Sequence, residues 1–330
     1  MNRTKILIIR FSSIGDIVLT TPIVRALKNC VKNVELHYLT KPENETLLKN
    51  NKYIDKLHLL KNDLSETTDE LSKEEFGYVV DLQKNLRSLR IKKALGVRAS
   101  SFPKLNIRKW LFVNLKLQCM PAIHIVDRYF EAVRDLEVVN DGKGLDYFLQ
   151  EADFVDCETL PAGFQSGYVA CVVGSKHATK QMPTDLMADL CRKIQKPIIL
   201  LGGKGDRDKA AIIGQQVGAK VFNACGNYNI NQSAYLVKNA LGIITPDTGL
   251  MHIAAAFDKN IIAVWGNTVP QFGMYPYRAV NAKGKTYNFE VKNLHCRPCS
   301  KLGYAECPKK HFRCMLGQDT DKIAEIANAW

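Results

Sequence analysis

Hydrophobic positions along the chain form short continuous runs that alternate with runs at helical spacing. The first run, Ile6–Ile9, is β-branched and apolar, as in a strand buried on both faces of a sheet. A polar turn follows over 11–15, and from Ile17 to Leu27 apolar residues recur at helical spacing. This order of strand, turn and helix is typical of the opening unit of a doubly wound α/β domain, in which ligands bind at the turn.

The same rhythm continues to the end of the chain. Periodicity is lost over 145–167, which contains Pro161 and two glycines, so a domain boundary is predicted there. We therefore expect two Rossmann-like, doubly wound domains, 1–155 and 156–320, with a cleft between them. A terminal helix is predicted over 321–330, and one arrangement for it is packing back toward the first domain. Further buried strands are predicted over 34–39, 53–60, 76–82, 168–173, 197–201, 220–223, 242–245 and 261–265.

The net charge of the chain predicts an anionic partner. Lys and Arg number 46 against 33 Asp and Glu, a net charge of +13, which favours nucleic acid, a phosphorylated small molecule or an acidic membrane surface. Ten of the basic residues lie in the acid-free stretch 82–121, interleaved with Phe102, Trp110 and Phe112. No apolar run approaches the roughly 18 residues of a membrane span, and Arg10 interrupts the first run, so a cytoplasmic protein without a signal peptide is expected.

Asp16 is the first residue for which a chemical role is predicted, at the start of the helix after the first strand. The helix dipole and backbone amides keep a carboxylate ionised at this position, and an ionised carboxylate can accept a proton from an attacking hydroxyl. The spacing alone favours the simpler role of a helix cap. No G-x-G-x-x-G follows the strand, which disfavours a nicotinamide enzyme.

Two later turns combine small residues with charge. In the loop 174–180, glycine and hydroxyl residues let backbone amides approach an anion and lysines add positive charge, although a solvated basic loop has the same composition. In the segment 245–252, Pro246 fixes a turn and the following residues cap a helix, with His252 on its first turn. A histidine there is more often structural, but a capped helix start makes phosphate binding credible.

Four of the ten cysteines are clustered near the end of the chain. A Cys-x-x-Cys pair with two further thiols in one short loop suits a tetrahedral structural zinc site. Reduced thiols that pack, or a disulfide, fit the same spacing. The six other cysteines are interpreted as reduced core thiols. The candidate ligands are Cys296, Cys299, Cys307 and Cys314.

Taken in order, the motifs resemble those of the ADP-heptose:lipopolysaccharide heptosyltransferase family, glycosyltransferase family 9. The resemblance covers nearly the whole chain; its strongest parts are 10–16 with 20–22, 180–183, Gly202-Gly203 and 245–252. Where members commonly show Pro-Gly-Ala, this chain has Val173-Gly174-Ser175. The resemblance implies a GT-B fold, with the acceptor bound by the first domain and the nucleotide sugar by the second, and inverting transfer that requires no cofactor.

The resemblance also implies roles for individual residues. Asp16 becomes the general base, Lys180 a ligand of the donor diphosphate, and Ser13 and Arg87 candidates for acceptor binding. The expected partners are ADP-heptose or a similar nucleotide sugar, a lipopolysaccharide core acceptor and an anionic membrane surface. The remaining donor-binding residues that it implies are Gly15, Gly174, Ser175, Lys176, Asp247, Thr248, Gly249 and His252.

The resemblance further implies a location at the cytoplasmic face of the inner membrane of a Gram-negative-type bacterium. There the basic stretch 84–116 would meet carboxylates and phosphates, with Trp110 and Phe112 as interfacial residues. Nucleic acid is not expected, because no RNA-binding motif accompanies the charge. Two alternatives stay open: a related transferase that uses another nucleotide sugar, and a non-catalytic nucleotide- or RNA-binding protein.

Overall fold

A computed structural model describes residues 4–330 of the chain, except for the side chain of Cys157. The strands are β1 (Thr4–Ile9), β2 (Val34–Thr40), β3 (Lys56–Leu59), β4 (Tyr78–Asp81), β5 (Ala99–Ser101), β6 (Val169–Val172), β7 (Ile198–Leu201), β8 (Val221–Asn223), β9 (Gly242–Pro246), β10 (Asn260–Trp265) and β11 (Thr286–Glu290). The helices are α1 (Ile14–Val18), α2 (Thr21–Cys30), α3 (Leu64–Ser72), α4 (Leu86–Leu95), α5 (Asn106–Asn114), α6 (Ile125–Phe130), α7 (Thr184–Lys193), α8 (Arg207–Val217), α9 (Ile230–Asn239), α10 (Gly249–Ala256), α11 (Arg313–Leu316) and α12 (Thr320–Asn328).

Both sheets are parallel, as the apolar runs predict. The first has the order β3-β2-β1-β4-β5 and the second β11-β10-β9-β6-β7-β8. In each sheet the strand order reverses direction at one place, between β1 and β4 and between β9 and β6. Ligands of open α/β sheets bind outside the carboxyl ends of the strands at such a switch point. The turns after β1, β6 and β9 are those for which the sequence predicts chemistry, so the topology agrees with the prediction.

The chain divides into two compact units whose boundary differs from the predicted 155/156. The first contains the described chain up to Lys104 together with Ile123–Phe148 and Tyr277–Asn281, and the second contains the remainder. The segment Leu105–Ala122 belongs to the second unit, because Phe112 packs there against Val269 and Phe272. Local periodicity cannot show such an exchange, since it depends on contacts far apart in sequence.

The terminal helix α12 packs within the second unit, and its packing toward the first domain stays a prediction. Its apolar residues Ile323, Ala324 and Ala327 are buried in the core of that unit. At its start, the Thr320 hydroxyl donates to Asp189 of α7 at 3.1 Å. The amphipathic helix thus covers α7, which would otherwise expose part of its apolar face.

The opening helical pattern is divided into α1 and α2 rather than forming one helix. Pro22 lies in the first turn of α2, where the missing N–H of proline has no intrahelical partner to lose. Because α1 ends at Val18, Asp16 lies on a short helix of its own.

The cysteines outside the C-terminal cluster differ in their exposure. Cys171, Cys191 and Cys225 are buried thiols, as expected for core cysteines, whereas Cys30 is exposed and Cys119 is half-buried, so the expectation is wrong for these two. Cys157 lies outside the described side chains. Within residues 4–330, no helix is both long and apolar enough to cross a membrane.

Candidate active site

Asp16 is held at the N-terminus of α1 by contacts to both carboxylate oxygens. Oδ2 accepts hydrogen bonds from the backbone N–H of Ser13 at 3.1 Å and from its hydroxyl at 2.7 Å. Oδ1 lies 2.7 Å from Nη2 of Arg10, and the carboxylate side chain is 20% exposed. Asp16 is therefore a capping residue and a solvent-accessible carboxylate together. An opposite charge at this distance favours its ionised form.

Arg10 is the residue that sequence reasoning missed in this turn. Its buried guanidinium donates to the carbonyl of Leu82, after β4, at 2.5 Å, and to that of Ser12 at 2.8 Å. Burial opposes the charge most strongly of any single cause, but the Asp16 carboxylate together with Tyr129 and Tyr38 raises the pKa of Arg10 above its ordinary value. The signal was a lone arginine at the end of an apolar strand, where a charge needs a partner.

The other predicted residues of the first unit have different surroundings. Ser13 is the N-cap of α1, and Gly15 is buried within that helix. Arg87 is exposed on the first turn of α4, behind the capping residue Asn85. Its neighbour Ser88 donates to the buried carboxylate of Asp81 at 2.9 Å. Arg87 is thus presented to solvent from a firmly capped helix.

In the second unit, Lys180 and Asp247 are brought together from neighbouring strands. Lys180 Nζ lies 2.6 Å from Asp247 Oδ2, and the hydroxyl of Thr268 donates to the same oxygen at 3.0 Å. Both charged side chains are mostly buried, at 14% and 16% exposure. The strand order therefore brings the loops after β6 and β9 together, and Thr268 is an addition that no motif indicated.

The loop 174–180 is built more tightly than its composition suggested. A side chain on Gly174 would place its Cβ 2.0 Å from a carboxylate oxygen of Asp206, so glycine is required by that contact. The carbonyl of Ser175 accepts a hydrogen bond from Gln181 at 2.8 Å, whereas Lys176 is exposed. Glycine therefore makes room for a carboxylate here, a contact that depends on a distant loop.

Lys209 of α8 fastens the end of this loop. Its Nζ donates to the carbonyl of Met182 at 2.7 Å, and to the carbonyl of Val173 and the side chain of Gln181 at 3.3 Å each. Burial lowers the pKa of Lys209 below its ordinary value. Nothing in the sequence separates this lysine from a surface residue of an amphipathic helix, so it was missed.

The segment after β9 has the predicted cap and helix. Thr248 is the N-cap of α10, and its hydroxyl lies 3.0 Å from that of Thr245. Gly249 begins the helix, and His252 is buried at 2% exposure. His252 therefore presents no surface imidazole, and its role in donor binding stays a prediction.

The four C-terminal cysteines lie in one region of the second unit, with no disulfide among the described side chains. Sγ of Cys296 is 3.8 Å from Nε2 of His311. Burial and the neighbouring Cys296 raise the pKa of Cys299 to about 12, and burial raises the pKa of Cys314 to about 11. The thiols are therefore close enough to influence one another.

Their spacing is wider than a bound metal requires. Zinc–sulfur bonds of about 2.3 Å place ligand sulfurs roughly 4 Å apart. Among the described residues, the group with three ligand atoms within 4.8 Å is His37, His58 and Glu74, and no three of the cysteines meet that limit. In that group, the Glu74 carboxylate already forms ion pairs with Lys5 and Lys56. The cysteine set fits zinc by its chemistry and would have to contract to bind it.

The basic stretch 84–116 is partly structural. Lys116 Nζ donates to the carbonyls of Cys296 and Pro298 at 3.1 and 2.7 Å, which ties the end of α5 to the cysteine region. Phe112 is buried against Phe272, with ring centroids 5.7 Å apart, so its prediction as an interfacial residue is wrong. Trp110 is 56% exposed on α5, as the prediction requires.

Comparison with known proteins places this geometry in a family. Residues 66–304 match the model of glycosyltransferase family 9 (heptosyltransferase). The chain is 24% identical to lipopolysaccharide heptosyltransferase 1 of Campylobacter coli over 80% of this chain and 84% of that protein. Its fold is similar to that of E. coli ADP-heptose lps heptosyltransferase II (TM-score 0.73, 16% identity, 99% and 98% coverage) and of E. coli heptosyltransferase WaaC with ADP (0.63, 18%, 86% and 93%). The match to the family model extends over more than half of the chain, and the two doubly wound domains have the fold of GT-B enzymes. The chain therefore belongs to glycosyltransferase family 9, the heptosyltransferase family, and is a glycosyltransferase.

Proposed function

We propose that this enzyme transfers a heptose from ADP-heptose to a lipopolysaccharide inner-core acceptor with inversion at the anomeric carbon. The observation that carries the proposal is the Asp16 carboxylate, which pairs with Arg10 and accepts a hydrogen bond from Ser13 in the turn after β1. A non-catalytic binding protein has no need of such a group. The printed names of the relatives, which include ADP-heptose and lipopolysaccharide, support this choice of donor and acceptor.

The mechanism follows from the charges of the two units. Asp16 accepts the proton of an acceptor hydroxyl as the oxygen of that hydroxyl bonds to the anomeric carbon. The bond from that carbon to the diphosphate breaks on the opposite face, and ADP leaves with the electron pair. Lys180, Lys176 and the start of α10 offset the charge that grows on the diphosphate, so the transfer needs no metal.

The experiment that tests this function is incubation of the purified enzyme with ADP-heptose and a panel of truncated core acceptors. ADP release that depends on one acceptor, with a product of inverted anomeric configuration by NMR, is the expected result. Release with a different nucleotide sugar and none with ADP-heptose would assign the enzyme to the related transferases. ADP-heptose that is consumed without an acceptor would indicate hydrolysis instead.

We propose further that the enzyme is a cytoplasmic protein that binds the inner membrane peripherally. The acceptor is anchored in a membrane, and Arg87 offers it a cation from the start of α4. Ile107 and Trp110, three residues apart on α5, expose 76% and 56% of their surface, which suits insertion at an anionic interface.

Removal of this apolar pair is expected to weaken membrane binding. The variant Ile107→Ser/Trp110→Ser should bind phosphatidylglycerol-containing vesicles several-fold more weakly in a sedimentation assay, since each side chain loses buried apolar area. Val139→Ser, which removes an exposed apolar side chain elsewhere, serves as the matched control. Equal binding of the wild type to anionic and uncharged vesicles would contradict the proposal.

We also propose that the C-terminal cysteines hold a structural metal, zinc or iron, which tetrahedral sulfur sites accept. Protein purified without chelator should contain about one metal ion per chain by mass spectrometry, and Cys299→Ser should lower both that content and the melting temperature. Cys30→Ser, an exposed thiol, should change neither. Metal-free protein with four reactive thiols would leave these cysteines as packing residues, and a deficit of two thiols would indicate a disulfide.

A further inference from the structure

Arg297 lies between Cys296 and Cys299 and fastens the loop that follows β10. We call residues 266–268 the β10 loop. Nε of Arg297 donates to the carbonyl of Gly266 at 2.6 Å, and Nη2 donates to that of Thr268 at 3.0 Å. One guanidinium thus holds both ends of the β10 loop. Lysine cannot reproduce this arrangement, since its ammonium is a single point on a flexible stem.

The same guanidinium is anchored on its other side. Nη1 donates to the carbonyl of Val291 at 2.7 Å, and Nη2 is 3.2 Å from Oε2 of Glu290, at the end of β11. The Arg297 side chain is 6% exposed. A buried cation whose donors are directed at backbone carbonyls restricts those carbonyls strongly, because leaving them or the charge unpaired is costly.

The β10 loop has few internal means of holding its shape. Asn267 is buried, yet within the described part of the chain its carboxamide has no hydrogen-bond partner on either atom. The loop is instead held from the cysteine region, where the N–H of Cys299 donates to the carbonyl of Asn267 at 3.1 Å. It also fits closely: a Cβ on Gly266 would lie 2.7 Å from the carbonyl of Thr179.

The β10 loop also contacts the segment 245–252, which contains predicted donor-binding residues. The Thr268 hydroxyl donates to Oδ2 of Asp247 at 3.0 Å, the same oxygen that pairs with Lys180 at 2.6 Å. Thr179, against which Gly266 packs, directly precedes Lys180. The β10 loop therefore contacts Asp247 directly and packs against the residue that precedes Lys180, so a shift of the loop would move the ion pair.

We propose that Arg297 is a positioning residue of the nucleotide-sugar site, acting through the β10 loop and Thr268 on Asp247 and Lys180. The inference rests on the proposed function in one respect, that this site binds a nucleoside diphosphate. It gives the cysteine region a role in donor binding that does not depend on which ion, if any, the thiols hold.

A double-mutant cycle tests the coupling, with ADP titrated calorimetrically against the folded protein. Arg297→Lys and Thr268→Val are each expected to weaken ADP affinity about tenfold. The double variant should bind ADP no more weakly than the weaker-binding single variant, because both residues act through the same chain of contacts. The KM for the nucleotide sugar should rise more than kcat falls. Arg192→Lys, on the exposed face of α7, is the matched control and should bind ADP normally.

Several outcomes would overturn the inference. Additive losses in the double variant would mean that Arg297 and Thr268 act separately, and a lowered melting temperature with unchanged ADP affinity would make Arg297 merely structural. If Arg297→Lys does not fold, the ADP affinities of Thr268→Val and Thr268→Ser are compared instead. The proposal requires the hydroxyl at position 268, so equal ADP affinity of these two variants would reject it. Absence of ADP binding by the wild type would overturn the proposed donor as well, whereas the other outcomes leave that donor intact.

Discussion

The variant Asp16→Asn is expected to lose sugar transfer by a factor of about 10²–10⁴, the usual contribution of a general base. Asparagine keeps the shape and one acceptor oxygen for the N–H of Ser13, but it cannot take up the acceptor proton. Apart from Gly15, the donor-binding candidates lie on other elements, in the second unit. ADP affinity should therefore stay within about twofold of the wild type, well under the 1.4 kcal/mol that a tenfold change represents.

The measurement is single-turnover transfer with saturating donor, paired with ADP titration and a thermal melt. The melt matters because the variant leaves the buried charge of Arg10 without its carboxylate, which should cost on the order of 1–3 kcal/mol of stability. Asp63→Asn is the control, since Asp63 caps α3 by accepting from the N–H of Ser65 at 2.9 Å. Transfer at the wild-type rate by Asp16→Asn would disprove the base assignment.

The sheets could be predicted because strands buried on both faces read as continuous apolar runs. Ile6–Ile9 lies within β1 and the run 197–201 contains β7, and both are fully buried. Edge strands carry this signal less consistently: β3 and β8 lie within the predicted runs 53–60 and 220–223, whereas β5 and β11 were missed. β11 alternates only weakly and is half-buried, so no strand was predicted there.

The helices α4 and α5 were missed because charge dominated the interpretation of the basic stretch. Signals for α4 were present: Asn85 caps it, Ser88 completes the cap, and Gly96 ends it at a φ of 64°. α5 has weaker signals, since its N-cap is Leu105 in a left-handed conformation. The helix α5 is stabilised by the packing of Phe112 against residues distant in sequence rather than by local capping.

The candidate site was predictable where one short motif holds the chemistry. Asp16, Lys180 and Asp247 each follow a buried strand, and the strand order brings the last two together. Arg10, Thr268 and Arg297 were missed because their partners are remote in sequence or are backbone carbonyls, which leave no pattern in the side chains. Motifs therefore name the residues of this site, and long-range hydrogen bonds set their positions.

The variant Lys180→Met is expected to weaken ADP affinity by about 10- to 100-fold, equivalent to ~1.4–2.8 kcal/mol. The substitution removes the positive charge to which the proposed function assigns the diphosphate, and it leaves the Asp247 carboxylate to repel that group. The loss should grow with phosphate number, from none for adenosine through AMP to ADP, and titration of all three measures it. Lys193→Met removes a lysine in a comparable pair with Asp189 at 2.7 Å on α7 and should leave all three affinities unchanged.

The double variant Lys180→Met/Asp247→Asn separates two physical roles of this lysine. If Lys180 only neutralises Asp247, removal of both charges should restore ADP affinity to near the wild-type value, because the repulsion disappears with the carboxylate. We expect the double variant to remain weak, since a direct contact between the ammonium and the diphosphate oxygens is lost in either background. The dependence of affinity on salt should then also be shallower than in the wild type, because one cation fewer faces the ligand. Full recovery of ADP binding with an unchanged salt dependence would reject direct contact and leave Lys180 as the counter-ion of Asp247.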